Sequence, residues 1–102
     1  MTIERVDRVL PHGITLSCRE GGGSCGPRVV LLHGFPEAAF VWDEVIDLLA
    51  PQARCVVPNL RGYERSSAPA GVEAYRAKHL VADLAALIEA LAAPVDVLVA
   101  HD

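Results

Sequence analysis

The sequence predicts an α/β fold in which an antiparallel hairpin leads into parallel strands with helices on both faces. Three observations carry that expectation. A period-two stretch lies near the start, short apolar runs recur around 29–32, 55–57 and 95–99, and segments of helical period separate those runs. The order strand, helix, strand, helix, strand demands crossover connections and hence a parallel sheet.

Residues 3–10 and 14–20 read as the two hairpin strands, with Pro11-His12-Gly13 as the turn. In the second, Ile14, Leu16 and Cys18 alternate with Thr15, Ser17 and Arg19, as in a strand with one buried face. Gly21-Gly22-Gly23-Ser24 reads as a flexible connector and lacks the spacing of a phosphate loop. Val29 to Leu32 has the continuous apolar character of a strand covered on both faces. Over 39–49, Trp42, Val45, Ile46 and Leu49 fall at helical spacing, with Asp43, Glu44 and Asp47 off that stripe, before Pro51. Cys55-Val56-Val57 is a further buried-type strand ending at Pro58, and 59–71 reads as a loop. The strongest helix spans roughly 74–92: Ala77, Leu80, Val81, Leu84, Ile88 and Leu91 form its stripe, while Asp83 is expected off it, within reach of His79. Val95, Val97, Leu98 and Val99 form the last strand, of buried type and expected to present an unpaired apolar edge within these residues, and it runs into Ala100-His101-Asp102.

The 102 residues suffice for one small domain, and 52% hydrophobic against 22% charged residues is a burying composition. A net charge of −4 without a basic run argues against nucleic acid. No stretch approaches the roughly 18 apolar residues that span a bilayer, and the start carries no secretory pattern, so a cytoplasmic protein without membrane partners is expected. Cys18, Cys25 and Cys55 form no Cys-x-x-Cys pair and read as free thiols. No metal and no cofactor is expected.

Three segments carry chemistry. Leu31-Leu32-His33-Gly34-Phe35-Pro36-Glu37 places glycine and proline at a strand end, where a tight turn can aim backbone amides outward. Pro58-Asn59-Leu60-Arg61-Gly62-Tyr63-Glu64-Arg65-Ser66-Ser67-Ala68-Pro69 is a second loop. Val95 to Asp102 has the form of a strand entering a nucleophile elbow, with Ala100 at the small position and Asp102 at the nucleophile position. Together they resemble α/β-hydrolases of the epoxide hydrolase and haloalkane dehalogenase branch, over nearly the whole chain from residue 3. The resemblance implies an oxyanion-hole amide at Phe35, an often-cis proline at Pro36, and loop-positioning roles for His33, Gly34 and Pro36. It also shows two departures: Asn59 stands at a usual Asp, which is expected to weaken a pair with Arg61, and Glu64 at a usual Gly, where positive φ is costly.

An ionised aspartate is already a nucleophile and can displace at saturated carbon, leaving an alkyl ester on Asp102 that water then hydrolyses. The resemblance implies that the general-base histidine, its acid partner and the cap lie beyond residue 102. The chain is thus read as the N-terminal portion of a single α/β-hydrolase domain, inactive alone, whose substrate is a small apolar epoxide. A haloalkane or haloacid dehalogenase with a halogenated substrate is the alternative within this fold. Outside it stand an inactive fragment and one half of a split chain, completed by the remainder of its own fold as a second chain. Asp102 as a mere surface aspartate, and His33 as a general base, are the weaker readings. His101 is expected to pack or cap, His12 and His79 to face solvent, Trp42 and Tyr63 to be structural, and Glu37 to sit at a pocket mouth or a helix start.

Overall fold

The computed structural model describes residues 3–23 and 25–102. Its strands are β1 (Glu4–Val9), β2 (Thr15–Gly22), β3 (Arg28–Leu32), β4 (Arg54–Pro58) and β5 (Val97–Ala100), in one sheet of order β1-β2-β4-β3-β5. Helix α1 (Asp43–Leu49) joins β3 to β4, and α2 (Ala77–Ala90) joins β4 to β5. β1 pairs antiparallel with β2, β2 antiparallel with β4, and β3 runs parallel to both β4 and β5.

The pleat sorts the apolar residues of each strand to two faces. Leu16, Cys18, Val30 and Val56 meet Leu87 and Leu91 from α2. Val29, Leu31, Cys55 and Val57 meet Ile46 from α1, with Trp42, Val45 and Leu49 packed around it. Each fully buried leucine or isoleucine contributes about 1.5–3 kcal/mol of transfer free energy, so one stripe per helix suffices to hold it. Helices thus cover both faces, as the alternating pattern implied.

β3 sits between β4 and β5. The chain therefore leaves β3 toward one side through α1 and returns past it to the other side through α2. That reversal of strand order places a crevice beyond the carboxyl ends of β3 and β5, the position where open α/β sheets bind ligands.

Several expectations need correction. Gly21 and Gly22 are not a connector: both lie in β2, opposite Cys55 and Arg54. Glycine is required there because a Cβ on Gly21 would stand 2.7 Å from Ile46 Cγ2, and one on Gly22 (φ 114°) 2.1 Å from the Ala53 carbonyl. Ser17, expected on an open face, is buried, because β2 is an inner strand; its amide donates to Ser66 Oγ at 2.9 Å. The expected 74–92 helix is divided into a 3-10 turn, Val72–Tyr75, an extended Arg76, and α2. α2 ends at Ala90, and Ala92, with φ 55°, stands between it and Pro94. Asp83, expected off the apolar stripe, is buried on α2 together with Leu87. β5, a buried-type strand expected to present an unpaired apolar edge within these residues, leaves Val97, Leu98 and Val99 between 37% and 49% exposed, because it is the edge strand and pairs only with β3 among the described residues.

Candidate active site

The loops after β3, β4 and β5 meet at one end of the sheet. Leu32 and Ala100 are in register, and the His101 amide extends the ladder to the Leu32 carbonyl at 3.2 Å. This brings His33-Gly34-Phe35 alongside His101-Asp102. Gly34 is the tightest point: a Cβ there would lie 2.6 Å from Asp102 Cα, 2.7 Å from its carbonyl carbon and 2.7 Å from the His101 oxygen. All three are backbone atoms that cannot swing aside. Gly34→Ala is therefore expected to push the end of β5 away and to cost about 1–3 kcal/mol of stability, the scale of overpacking a tight contact. An unchanged midpoint in denaturant unfolding would contradict this.

His33 is 3% exposed and ties two loops together. The Leu60 amide donates to its Nε2 at 3.0 Å, so Nε2 must be the acceptor. Nδ1 then carries the proton and donates to the Gly34 carbonyl at 2.9 Å. With both ring nitrogens engaged, neither is free to take a proton from a substrate. Tyr63 packs edge-on against this ring, centroids 4.6 Å apart, in keeping with its structural reading.

Residues 34–37 form a turn in which the Glu37 amide donates to the Gly34 carbonyl at 3.0 Å and the Gly34 amide to Glu37 Oε1 at 3.3 Å. Glu37 thus caps this turn rather than a helix. The Phe35–Pro36 peptide bond is cis. Among the described residues, the Phe35 amide has no acceptor. Phe35, Gly34, His33, Tyr63, Tyr75, Leu80 and Asp102 line an open depression of about 320 Å³. On the other side of the β5 end, His101 Nδ1 lies 3.9 Å from Glu37 Oε1, beside a second depression of about 230 Å³ that Trp42 and Val45 also line.

The second loop is held differently from expectation. Asn59 does not face Arg61. Its side-chain oxygen accepts the Ala39 amide at 2.8 Å and its Nδ2 donates to the Ser17 carbonyl at 3.1 Å. Arg61 pairs instead with Asp83 of α2, through two hydrogen bonds of 2.8 and 2.7 Å, and donates to the Ala74 carbonyl at 2.8 Å. His12, exposed as expected, also reaches the same carboxylate through Nε2 at 2.8 Å, and among the described residues His79 makes no bond to Asp83. Burial pushes the Asp83 carboxyl up, but the bonds from Arg61 and His12 outweigh it and hold it below the usual range. An aspartate three residues after Leu80 and four before Leu87, within the apolar stripe, was the signal for this network in the sequence. Glu64 does adopt the left-handed region, with φ 49°. Tyr75 and Leu80 were not singled out in the sequence as lining residues, since their place depends on how α2 docks.

Among the described residues there is no cluster of three metal-ligating side chains and no helix long and apolar enough to cross a membrane.

Residues 27–102 match the family model described as alpha/beta hydrolase fold. The chain is 39% identical over 95 residues to an "Epoxide hydrolase" of Caballeronia sordidicola, covering 92% of this chain and 28% of that protein. It is 43% identical over 94 residues to "Probable oxidoreductase EphD" of Mycobacterium tuberculosis, of which those residues are 16%. Among solved structures, epoxide hydrolase VrEH1 of Vigna radiata superposes with a TM-score of 0.90 at 40% identity, over 98% of this chain and 32% of that one. The chain therefore spans about a third or less of the relatives it matches.

Proposed function

Because this chain belongs to the α/β-hydrolase fold family, we propose that the full-length protein is an epoxide hydrolase-like enzyme whose nucleophile is Asp102. Residues 1–102 supply the N-terminal part of one α/β-hydrolase domain. The observation that carries this reading is the seat of Asp102, directly beyond a parallel strand, its backbone against Gly34 and its residue lining one depression with Phe35.

In the first step a carboxylate oxygen attacks an epoxide carbon. The carbon–oxygen bond of the ring breaks, and the alkoxide takes a proton from a donor outside these residues. Water, deprotonated by a histidine that also lies outside them, then attacks the ester carbonyl carbon of Asp102. The oxygen that gains charge is met by the Phe35 N–H and by the amide of the residue following Asp102. Collapse releases the diol and restores the carboxylate. His33, Gly34 and Pro36 position the loop. Phe35, Tyr63, Tyr75 and Leu80 make the depression suited to a small apolar substrate. The names of the relatives favour an epoxide over a carbon–halogen bond, which the same attack would also break. Cys18, buried with its thiol pushed up to about 12, fits an unreactive residue in a reducing cytoplasm.

A single turnover in ¹⁸O-labelled water tests the mechanism. Water attacks the ester carbonyl, so the first diol should carry no label, and mass spectrometry of the digested protein should place the label on Asp102. A labelled diol after one turnover would mean direct attack of water on the epoxide and would remove the ester.

A further inference from the structure

We propose that the amino-terminal end of the sheet, opposite the candidate active site, binds a small oxyanion, carboxylate or phosphate, between Arg28 and Arg54. These two residues are direct neighbours in register on the parallel strands β3 and β4. The pleat sets them on the face that carries Val30 and Val56. By the same parity Glu20 of β2 and Glu4 of β1 lie on this face one ladder step along, in register with Val56, while Gly22 stands opposite Arg54. α2 covers this face through Leu87 and Leu91 but stops short of these charged residues. There an open cavity of about 250 Å³ is lined by Glu4, Glu20, Arg28, Arg54 and the backbone of Gly21 to Gly23.

Like charges on adjacent strands destabilise a sheet unless something neutralises them. The nearby carboxylates are largely engaged. Glu20 is held by Arg8 through two bonds of 2.9 and 2.7 Å, and Asp96 Oδ2 accepts the Arg28 backbone amide at 2.8 Å. Glu4 stands exposed at the rim. The arginines that form ion pairs are Arg8, Arg19, Arg61 and Arg76; among the described residues Arg28 and Arg54 form none. Arg54 Nε donates to the Gly26 carbonyl at 3.0 Å, but Arg28 Nε is buried with no acceptor among the described residues. A buried cationic N–H without an acceptor carries its full desolvation cost, which a charged oxygen placed in the cavity would relieve. Two guanidinium forks suit the paired oxygens of a carboxylate or a phosphate. The cavity admits an anion of that size; Val6, Cys55 and Val56 also line it, and the glycines add no side chain that would fill it.

The test is calorimetric titration of the full-length protein with sodium phosphate and, separately, sodium acetate, at constant ionic strength. Saturable binding of at least one is expected, and which one binds separates phosphate from carboxylate. Arg28→Gln and Arg54→Gln should each weaken it by at least about tenfold, the size expected of a charge-assisted bond. Glu4→Gln, which removes the unengaged carboxylate, should tighten it. No saturable binding of either anion, or equal affinity in the arginine variants, overturns the proposal. If Arg28→Gln does not fold, Arg54→Gln decides alone. The readout is independent of the reaction assigned to Asp102.

Discussion

Asp102→Asn in the full-length protein is expected to lower epoxide turnover by about 10⁴-fold or more, the scale seen when a covalent nucleophile is removed. An amide nitrogen shares its lone pair with the carbonyl and carries no charge, so it displaces poorly at saturated carbon and forms no ester. The fold should survive. Asp102 is exposed, and its side chain accepts no hydrogen bond among the described residues. The thermal midpoint of the variant should therefore match that of the parent while the rate falls. Substrate that reacts but is not released should be found as an adduct on Asp102 in the parent and be absent from the variant. Turnover within tenfold of the parent, or an adduct on another residue, would sink the assignment.

Asp83→Ala is expected to cost about 3–5 kcal/mol of stability, because it strands Arg61 as an unpaired buried cation. Asp83 is 3% exposed and Arg61 is 7% exposed, so little water reaches the pair to replace the lost partner. The double substitution Arg61→Met with Asp83→Leu should recover much of the loss, since an apolar pair needs no countercharge. Denaturant unfolding of the parent, the single variant and the double variant would measure this, and a single variant as stable as the parent would refute it. The same pair has a pH signature. The folded carboxyl titrates below the ordinary 3.8, so its stabilisation is fully present above that value. It is lost as the pH falls below 3.8 and through the lower folded value, and Asp83→Asn should flatten stability over that acid range.

The sequence went far on the elements and less far on their surroundings. Both crossover units, the hairpin and the strand that delivers Asp102 were legible because period-two and helical patterns are local properties of the chain. The turn at His33-Gly34-Phe35-Pro36 was legible for the same reason, glycine and proline restricting the backbone within a few residues. Asp83 was misread as lying off the apolar stripe, since an acid on a helix looks the same in sequence whether it faces water or an arginine twenty-two residues earlier. Gly21 and Gly22 were misread because the need for glycine came from Ile46 and Ala53, far along the chain.

By itself the sequence determined which segments become strands and helices, and that an aspartate follows the last strand, since these depend on neighbours within a turn or two. Only the tertiary structure decided that β5 lies beside β3, that Gly34 touches Asp102, that His33 has both nitrogens engaged, and that Arg61 answers Asp83. Those facts depend on strand order and docking, where residues distant in sequence compete for the same buried space and the same hydrogen-bonding groups.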